Sequence, residues 1–189
     1  MNKAILFAFL FVMLAGCGRD KPWHATDISG AMPRLDFAMT RAGDGAAVTA
    51  GDYRGRVAIL YFGYTNCPDV CPTTLANLSD MLHQLGRDAD KVRVLFVTVD
   101  PGRDTLPILK KYVAAFAPQI DGLRGGDNAL ADLARRYRIA YSVKTKPKYE
   151  VMHSSAVFFF DAAGRARLVT LSTDDTAGLA EDVKRLLRS

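Results

Sequence analysis

The chain has 189 residues, 49% of them hydrophobic and 24% charged, with a formal net charge of +5. Length and composition suit one soluble globular domain with a full core and leave little room for a second. The 25 lysines and arginines are scattered along the chain, without the basic stripe of a nucleic-acid binder, so no nucleic-acid partner is expected.

Lys3 is followed by the apolar run AILFAFLFVMLAG, residues 4–16. As a helix the run spans about 20 Å, short of the roughly 30 Å hydrocarbon layer, and it suits the core of a signal peptide better than a membrane span. It ends in LAGC, Leu14 to Cys17, which resembles the bacterial lipobox. That resemblance implies a lipoprotein signal peptide over residues 1–16 and a lipid on Cys17; an ordinary secretory signal or a short uncleaved anchor is the alternative. Residues 17–34 are polar and rich in turn formers, and read as a tether to a domain over 35–189. On this reading the protein is lipid-anchored to the cytoplasmic membrane and faces the periplasm or the outside. Cys67 and Cys71 are then the remaining thiols, in a compartment that permits disulfides.

From Leu35 the signals of strand and helix alternate. LDFAM and AAVTA flank TRAGDG and predict a hairpin. VAILYFGYT, residues 57–65, is a nearly continuous apolar run, as in a strand buried on both faces. Leu75, Leu78, Leu82 and Leu85 then share a helical face, with Gly86 as C-cap. VRVLFVTVD, residues 92–100, predicts a second buried strand, and DTLPILKKYVAAFA a helix capped by Asp104. DNALADLARRY reads as a short helix, SAVFFFD and RARLVTLS as two strands around AAG, and DDTAGLAEDVKRLLRS as a closing amphipathic helix. The order predicts an α/β, thioredoxin-like fold: a central mixed β-sheet flanked by helices, with an N-terminal β-hairpin extension and the functional loop at a strand's C-terminal end.

That loop lies in YFGYTNCPDVCPTT, residues 61–74, where Cys67 and Cys71 stand four apart. Pro72 is unsuited to a helix interior, so one tight turn is expected over Pro68–Cys71 and the longer helix from about Thr73. Both sulfurs then lie on one side of the turn, near a helix N-terminus that favours thiolate. Three readings stand. A disulfide staple closing so short a loop is worth only about 2 kcal/mol. A redox pair departs from the common C-x-x-C spacing, and no proline precedes AVFFFD where thioredoxin-like enzymes carry one in cis. A metal site suits copper, because soft thiolates bind Cu(I) and imidazole binds either copper state. Of the three histidines, His24 falls in the tether and His83 on a helix flank. His153, just before a core strand in a loop expected to face the cysteines, is the candidate third ligand. Asp69 is placed to tune the thiols or approach the metal, or merely to cap the turn. Asp100, Arg103 and Asp104 read as a turn plus N-cap or as a docking feature, and Lys144, Lys146 and Lys148 as a solvated loop or a basic lip beside His153.

FGYTNCPDVCPTTL, followed by VTVDPGRDT, KYVAAF and VMHSSAVFFFD, resembles the Sco/SenC copper chaperones of cytochrome c oxidase assembly, from about Leu35 to the C-terminus. One departure is Asn66, where many members have histidine. The resemblance implies a thioredoxin-like fold that binds one Cu(I)/Cu(II) ion through Cys67, Cys71 and His153. It also implies a metallochaperone that assists assembly of the CuA centre. Its implied partners are the CuA-bearing subunit of cytochrome c oxidase, a periplasmic copper donor and a thiol reductant. The alternative is a membrane-tethered thiol–disulfide reductase, with Cys67 and Cys71 as the redox pair, that keeps the CuA-site cysteines reduced.

Overall fold

The computed structural model describes residues 21–189; the signal-peptide reading, Cys17 and the start of the tether lie outside the described residues. In chain order the strands are β1 (Thr26–Asp27), β2 (Ala38–Arg41), β3 (Ala47–Thr49), β4 (Val57–Gly63), β5 (Val92–Thr98), β6 (Ile120–Arg124), β7 (Tyr141–Lys144), β8 (Glu150–His153), β9 (Val157–Phe160) and β10 (Ala166–Thr170). The α-helices are α1 (Val70–Leu85), α2 (Leu106–Val113), α3 (Asp127–Arg136) and α4 (Thr176–Leu186). Among the described residues no helix is long and apolar enough to cross a membrane.

Eight strands form one mixed sheet in the order β1-β10-β9-β4-β5-β6-β2-β3, with β7 and β8 in a separate two-stranded hairpin. β4 and β5 pair in parallel from Val57↔Val92 to Gly63↔Thr98, and β9 pairs antiparallel with β4. The expected N-terminal hairpin, β2–β3, extends the sheet beyond β6. The apolar run of β4 follows from burial on both faces. Val57, Ile59 and Tyr61 join the core that contains Leu75 and Leu78 of α1, Leu109 of α2 and Val183 of α4. Ala58, Leu60 and Phe62 join the opposite core, with Leu130 and Leu133 of α3. Each such large side chain is worth about 1.5–3 kcal/mol when fully buried.

Several expectations need correction. Helix α1 begins at Val70 rather than near Thr73, so Pro72 is its third residue. The first N–H groups of a helix have no intrahelical partner, so the missing donor costs nothing there. The first i→i−4 bond comes from Thr73 N–H to Asp69 O at 3.2 Å. Asp69 occupies the N-cap position, yet its side chain makes no capping bond. Asp104 does not cap α2; Thr105 stands at that N-cap. Strand β6 was not anticipated, because IDGLR carries an aspartate and a glycine. A Cβ at Gly122 would lie 2.7 Å from Leu109 Cγ, so the glycine admits α2 onto the sheet. The hairpin β7–β8 was also missed, since Ser142–Lys148 is exposed and shows no one-sided apolar pattern.

The segment read as a tether is structured from Trp23 onward. Buried Asp182 of α4 accepts from His24 N–H at 2.9 Å and Ala25 N–H at 2.8 Å, and β1 pairs with β10. Arg185 stacks over the Trp23 ring at 3.7 Å. Residues 22–27 thus form a strap along α4. Asp182→Ala leaves those two amides without their acceptor and is expected to cost about 1–3 kcal/mol. Hydrogen exchange should quicken first at His24 and Ala25, with a lower melting temperature; unchanged exchange there would show that the strap is held by other contacts.

Candidate metal site

β4 ends at Gly63, where a Cβ would lie 3.1 Å from Cys71 Sγ and 2.5 Å from the Phe96 ring. Only glycine lets the helix and its sulfur come this close to the strand end. Cys67 is half-buried in the connection from β4 to α1, and Cys71, the second residue of α1, is fully buried. Both thiols are free. The Cys71 N–H points at Cys67 Sγ at 3.4 Å, as the orphan donors of a helix N-terminus do toward an anion.

His153 is the last residue of β8, a strand end rather than a free loop. Ser154 N–H donates to Ala140 O at 3.0 Å and closes the hairpin behind it. His153 Nδ1 lies 2.9 Å from Ser154 O. A carbonyl only accepts, so Nδ1 carries the hydrogen and Nε2 keeps its lone pair. That lone pair faces Cys71 Sγ at 3.2 Å. The Tyr64 and Tyr61 rings meet the imidazole edge-on, with centroids 5.8 and 6.1 Å away. The two sulfurs and one imidazole nitrogen all lie within 4.8 Å of one another, the arrangement of a small soft-metal site.

The electrostatics separate the two thiols. Partial burial pushes Cys67 up, but backbone N–H groups of Asp69 and Cys71 and the side chains of Cys71 and Tyr64 outweigh it, and the net effect lowers its pKa. Burial dominates at Cys71 and pushes its thiol up to about 12. Burial also lowers the His153 pKa, against the opposing bond to Ser154. The site therefore pairs a Cys67 that ionises more readily than Cys71 with an imidazole shifted toward its neutral form.

The other candidates fall elsewhere. Asp69 is exposed and lines the cleft outside Cys67, with Val70, Met152 and His153. His24 lies beside α4, 3.2 Å from Asp175, and His83 is exposed on the C-terminal half of α1. Thr65, Thr98 and Tyr149 were not singled out, yet they bind the two carboxylates that follow β5, Asp100 and Asp104. A threonine two residues before a cysteine and an aromatic four before a histidine carry no local signal of such bonds; their meaning depends on the folded neighbour.

The SCO1/SenC family profile matches residues 31–188. The chain belongs to the SCO1/SenC family. The bovine protein named "Protein SCO2 homolog, mitochondrial" is 39% identical over 135 residues, covering 65% of this chain and 51% of that one. The chain thus spans about half the length of this SCO2 relative. Copper-bound ScoI of Bradyrhizobium japonicum superposes with a TM-score of 0.74 at 35% identity, over 82% of this chain and 99% of that one. Apo Sco1 of Thermus thermophilus does so with a TM-score of 0.78 at 31% identity, over 90% of this chain and all of that one. The thioredoxin-like fold read from the sequence is that of these SCO1/SenC structures.

Two outcomes follow from the thiol asymmetry. Limited alkylation of the reduced, metal-free protein at neutral pH should modify Cys67 well before Cys71, as read by peptide mass; equal labelling would contradict the burial difference. The folded chain keeps the Cys71 proton up to about 12, whereas an unfolded thiol loses it near about 8.5. The unfolded state therefore binds fewer protons in that window, and stability falls as pH rises through it. Denaturant titrations above about pH 8.5 should show a shallower loss in Cys71→Ala than in the wild type.

Proposed function

We propose that the chain is a copper metallochaperone. It binds one Cu(I) or Cu(II) ion through Cys67 Sγ, Cys71 Sγ and His153 Nε2 and assists assembly of the CuA centre of cytochrome c oxidase. The observation that carries this reading is the convergence of those three donors within 4.8 Å in a SCO1/SenC chain. The donor set suits the ion: two soft thiolates suffice for Cu(I), and the nitrogen helps hold Cu(II), which prefers more ligands. The Ser154 carbonyl already orients the ring with Nε2 toward the sulfurs. Binding requires Cys71 to give up its proton, so affinity rises with pH until that proton is lost. Copper is cargo here, held and released without turnover.

The same proposal includes removal of residues 1–16, a lipid on Cys17, and anchorage at the cytoplasmic membrane with the domain facing the periplasm or outside. Its support is the LAGC sequence after a short apolar run. It also includes the CuA-bearing subunit as client, a periplasmic copper donor and a thiol reductant, supported by membership of the family.

The thiol asymmetry favours a second activity of the same sulfurs. The Cys67 thiolate attacks a client disulfide, forms a mixed disulfide and releases one client thiolate. Cys71 then gives up its proton and attacks Cys67 Sγ, which releases the second client thiolate and leaves a Cys67–Cys71 disulfide. Two electrons pass to the client, and a thiol reductant restores the pair. Copper and disulfide compete for the same atoms.

Elemental analysis of the reduced protein should give one copper per chain. Cys67→Ser should abolish binding, and His153→Ala should weaken Cu(II) far more than Cu(I). If both variants keep wild-type affinity for both ions, the ligand set is wrong. A His153→Ala variant that still reduces client disulfides at the wild-type rate would establish the second activity as separable.

A further inference from the structure

The connection between β5 and α2, VDPGRDT at residues 99–105, supplies no donor to the metal site, yet two buried carboxylates in it reach both halves of that site. Asp104, 0% exposed, accepts from Thr65 N–H at 3.0 Å, from Thr65 Oγ1 at 2.6 Å and from Thr98 Oγ1 at 2.6 Å. Thr65 stands two residues before Cys67. Asp100, 1% exposed, accepts from Tyr149 OH and from Arg103 Nε, and the Arg103 guanidinium lies over the Tyr149 ring at 3.7 Å. Tyr149 leads directly into β8, which ends on His153.

The loop is itself fastened to the sheet. Asp100 N–H donates to Thr98 Oγ1 at 3.0 Å, Asp104 N–H to Asp100 O at 2.9 Å, and Arg124 Nη2 to Pro101 O at 2.9 Å. Among the described residues, the hairpin that carries His153 has no strand pairing with the main sheet. It is held by its short connection to β9 and by packing of Tyr141 and Val151 on the core, and the Asp100–Tyr149–Arg103 contact links it to the loop. A buried carboxylate demands satisfied acceptors, so these bonds hold their donors in fixed places.

We propose that Asp104 and Asp100 are positioning residues of the metal site. Asp104 sets the thiol arm through Thr65, and Asp100 sets the imidazole arm through Tyr149. One short loop thereby fixes the spacing between two ligand groups that lie 82 residues apart in the chain. This inference rests on the copper reading above for its metal measurements, and it makes metal-free predictions of its own.

The test uses the full reduced chain with Thr65→Val, Asp104→Ala, Asp104→Asn and Tyr149→Phe, and copper(I) or copper(II) alone as probes. Thr65→Val and Asp104→Ala should weaken Cu(I) about 10–100-fold, as loss of the groups that orient ligands does elsewhere. Asp104→Asn keeps an oxygen for Thr65 N–H and should recover most of that loss. Tyr149→Phe should leave Cu(I) affinity at the wild-type value, weaken Cu(II) about tenfold and move its absorption and EPR spectra toward those of His153→Ala. A purely structural role would not produce this split by oxidation state. If Tyr149→Phe weakens both ions alike, or if neither variant changes either ion, the loop does not set the two arms and the inference is wrong. Should Asp104→Ala fail to fold, Thr65→Val still tests the thiol arm, because it removes one hydroxyl and leaves the backbone bond. A wild-type chain that binds neither ion would sink the copper reading instead. The loop is then judged without metal: Thr65→Val should shift the Cys67–Cys71 equilibrium with glutathione about tenfold, and Tyr149→Phe should move the His153 ring resonances. Wild-type values for both would overturn it.

Discussion

The parallel pairing of β4 with β5 is the constraint on which the rest of this molecule depends. It runs in register to Gly63↔Thr98, so two chain segments leave the sheet side by side. One leads to the cysteines; the other becomes the loop of Asp100 and Asp104. Val99 N–H donates to Gly63 O at 2.8 Å and prolongs the pairing past the strand ends. Both faces of β4 are buried under helices, which fixes the height at which the cysteine segment emerges. Gly63 then removes the only obstacle a side chain would place between Phe96 and Cys71.

The site that results is chemically uneven. Cys67 meets solvent and N–H donors; Cys71 is enclosed by apolar and aromatic groups. An empty site therefore resists holding two thiolates, and a soft cation supplies the charge that makes the second deprotonation favourable. The neutral imidazole adds a lone pair without adding charge. A pair of sulfurs with one reactive and one withheld member suits metal transfer and disulfide exchange alike, which explains why the spacing in the chain could not separate the two readings.

Local patterns carried most of the fold. The continuous apolar runs of β4 and β5, the leucine spacing of α1 and the amphipathic α4 each report burial through their own residues. What escaped was whatever depends on a distant neighbour. Asp104 looks like a helix cap in DPGRDT, and its bonds to Thr65 and Thr98 turn it inward. Pro72 looks like a helix breaker until its place among the unpaired first-turn donors is known. β6 is disguised by Asp121 and Gly122, and the β7–β8 hairpin by its exposed lysines. Trp23, His24 and Ala25 read as linker because the carboxylate that orders them lies in α4. The three donors were legible as residue types in a plausible order. The tautomer of His153 and the inequality of the thiols were not, since both are set by backbone atoms and burial.

The strap along α4 also determines how the domain is presented. Thr176, at the start of α4, bonds to Asp80 and Gln84 in the second half of α1, and Lys184 and Arg188 lie near enough to Asp88, just past α1, to attract its charge. The chain therefore joins the domain beside the far half of α1, with the cysteines at the other end of that helix. Over the 16 residues of α1 the separation is about 24 Å. Anything that grips the polypeptide upstream of Lys21 holds the domain by its base, with the sulfurs at the crown. Attachment at that end leaves the site of Cys67, Cys71 and His153 clear of the point of attachment.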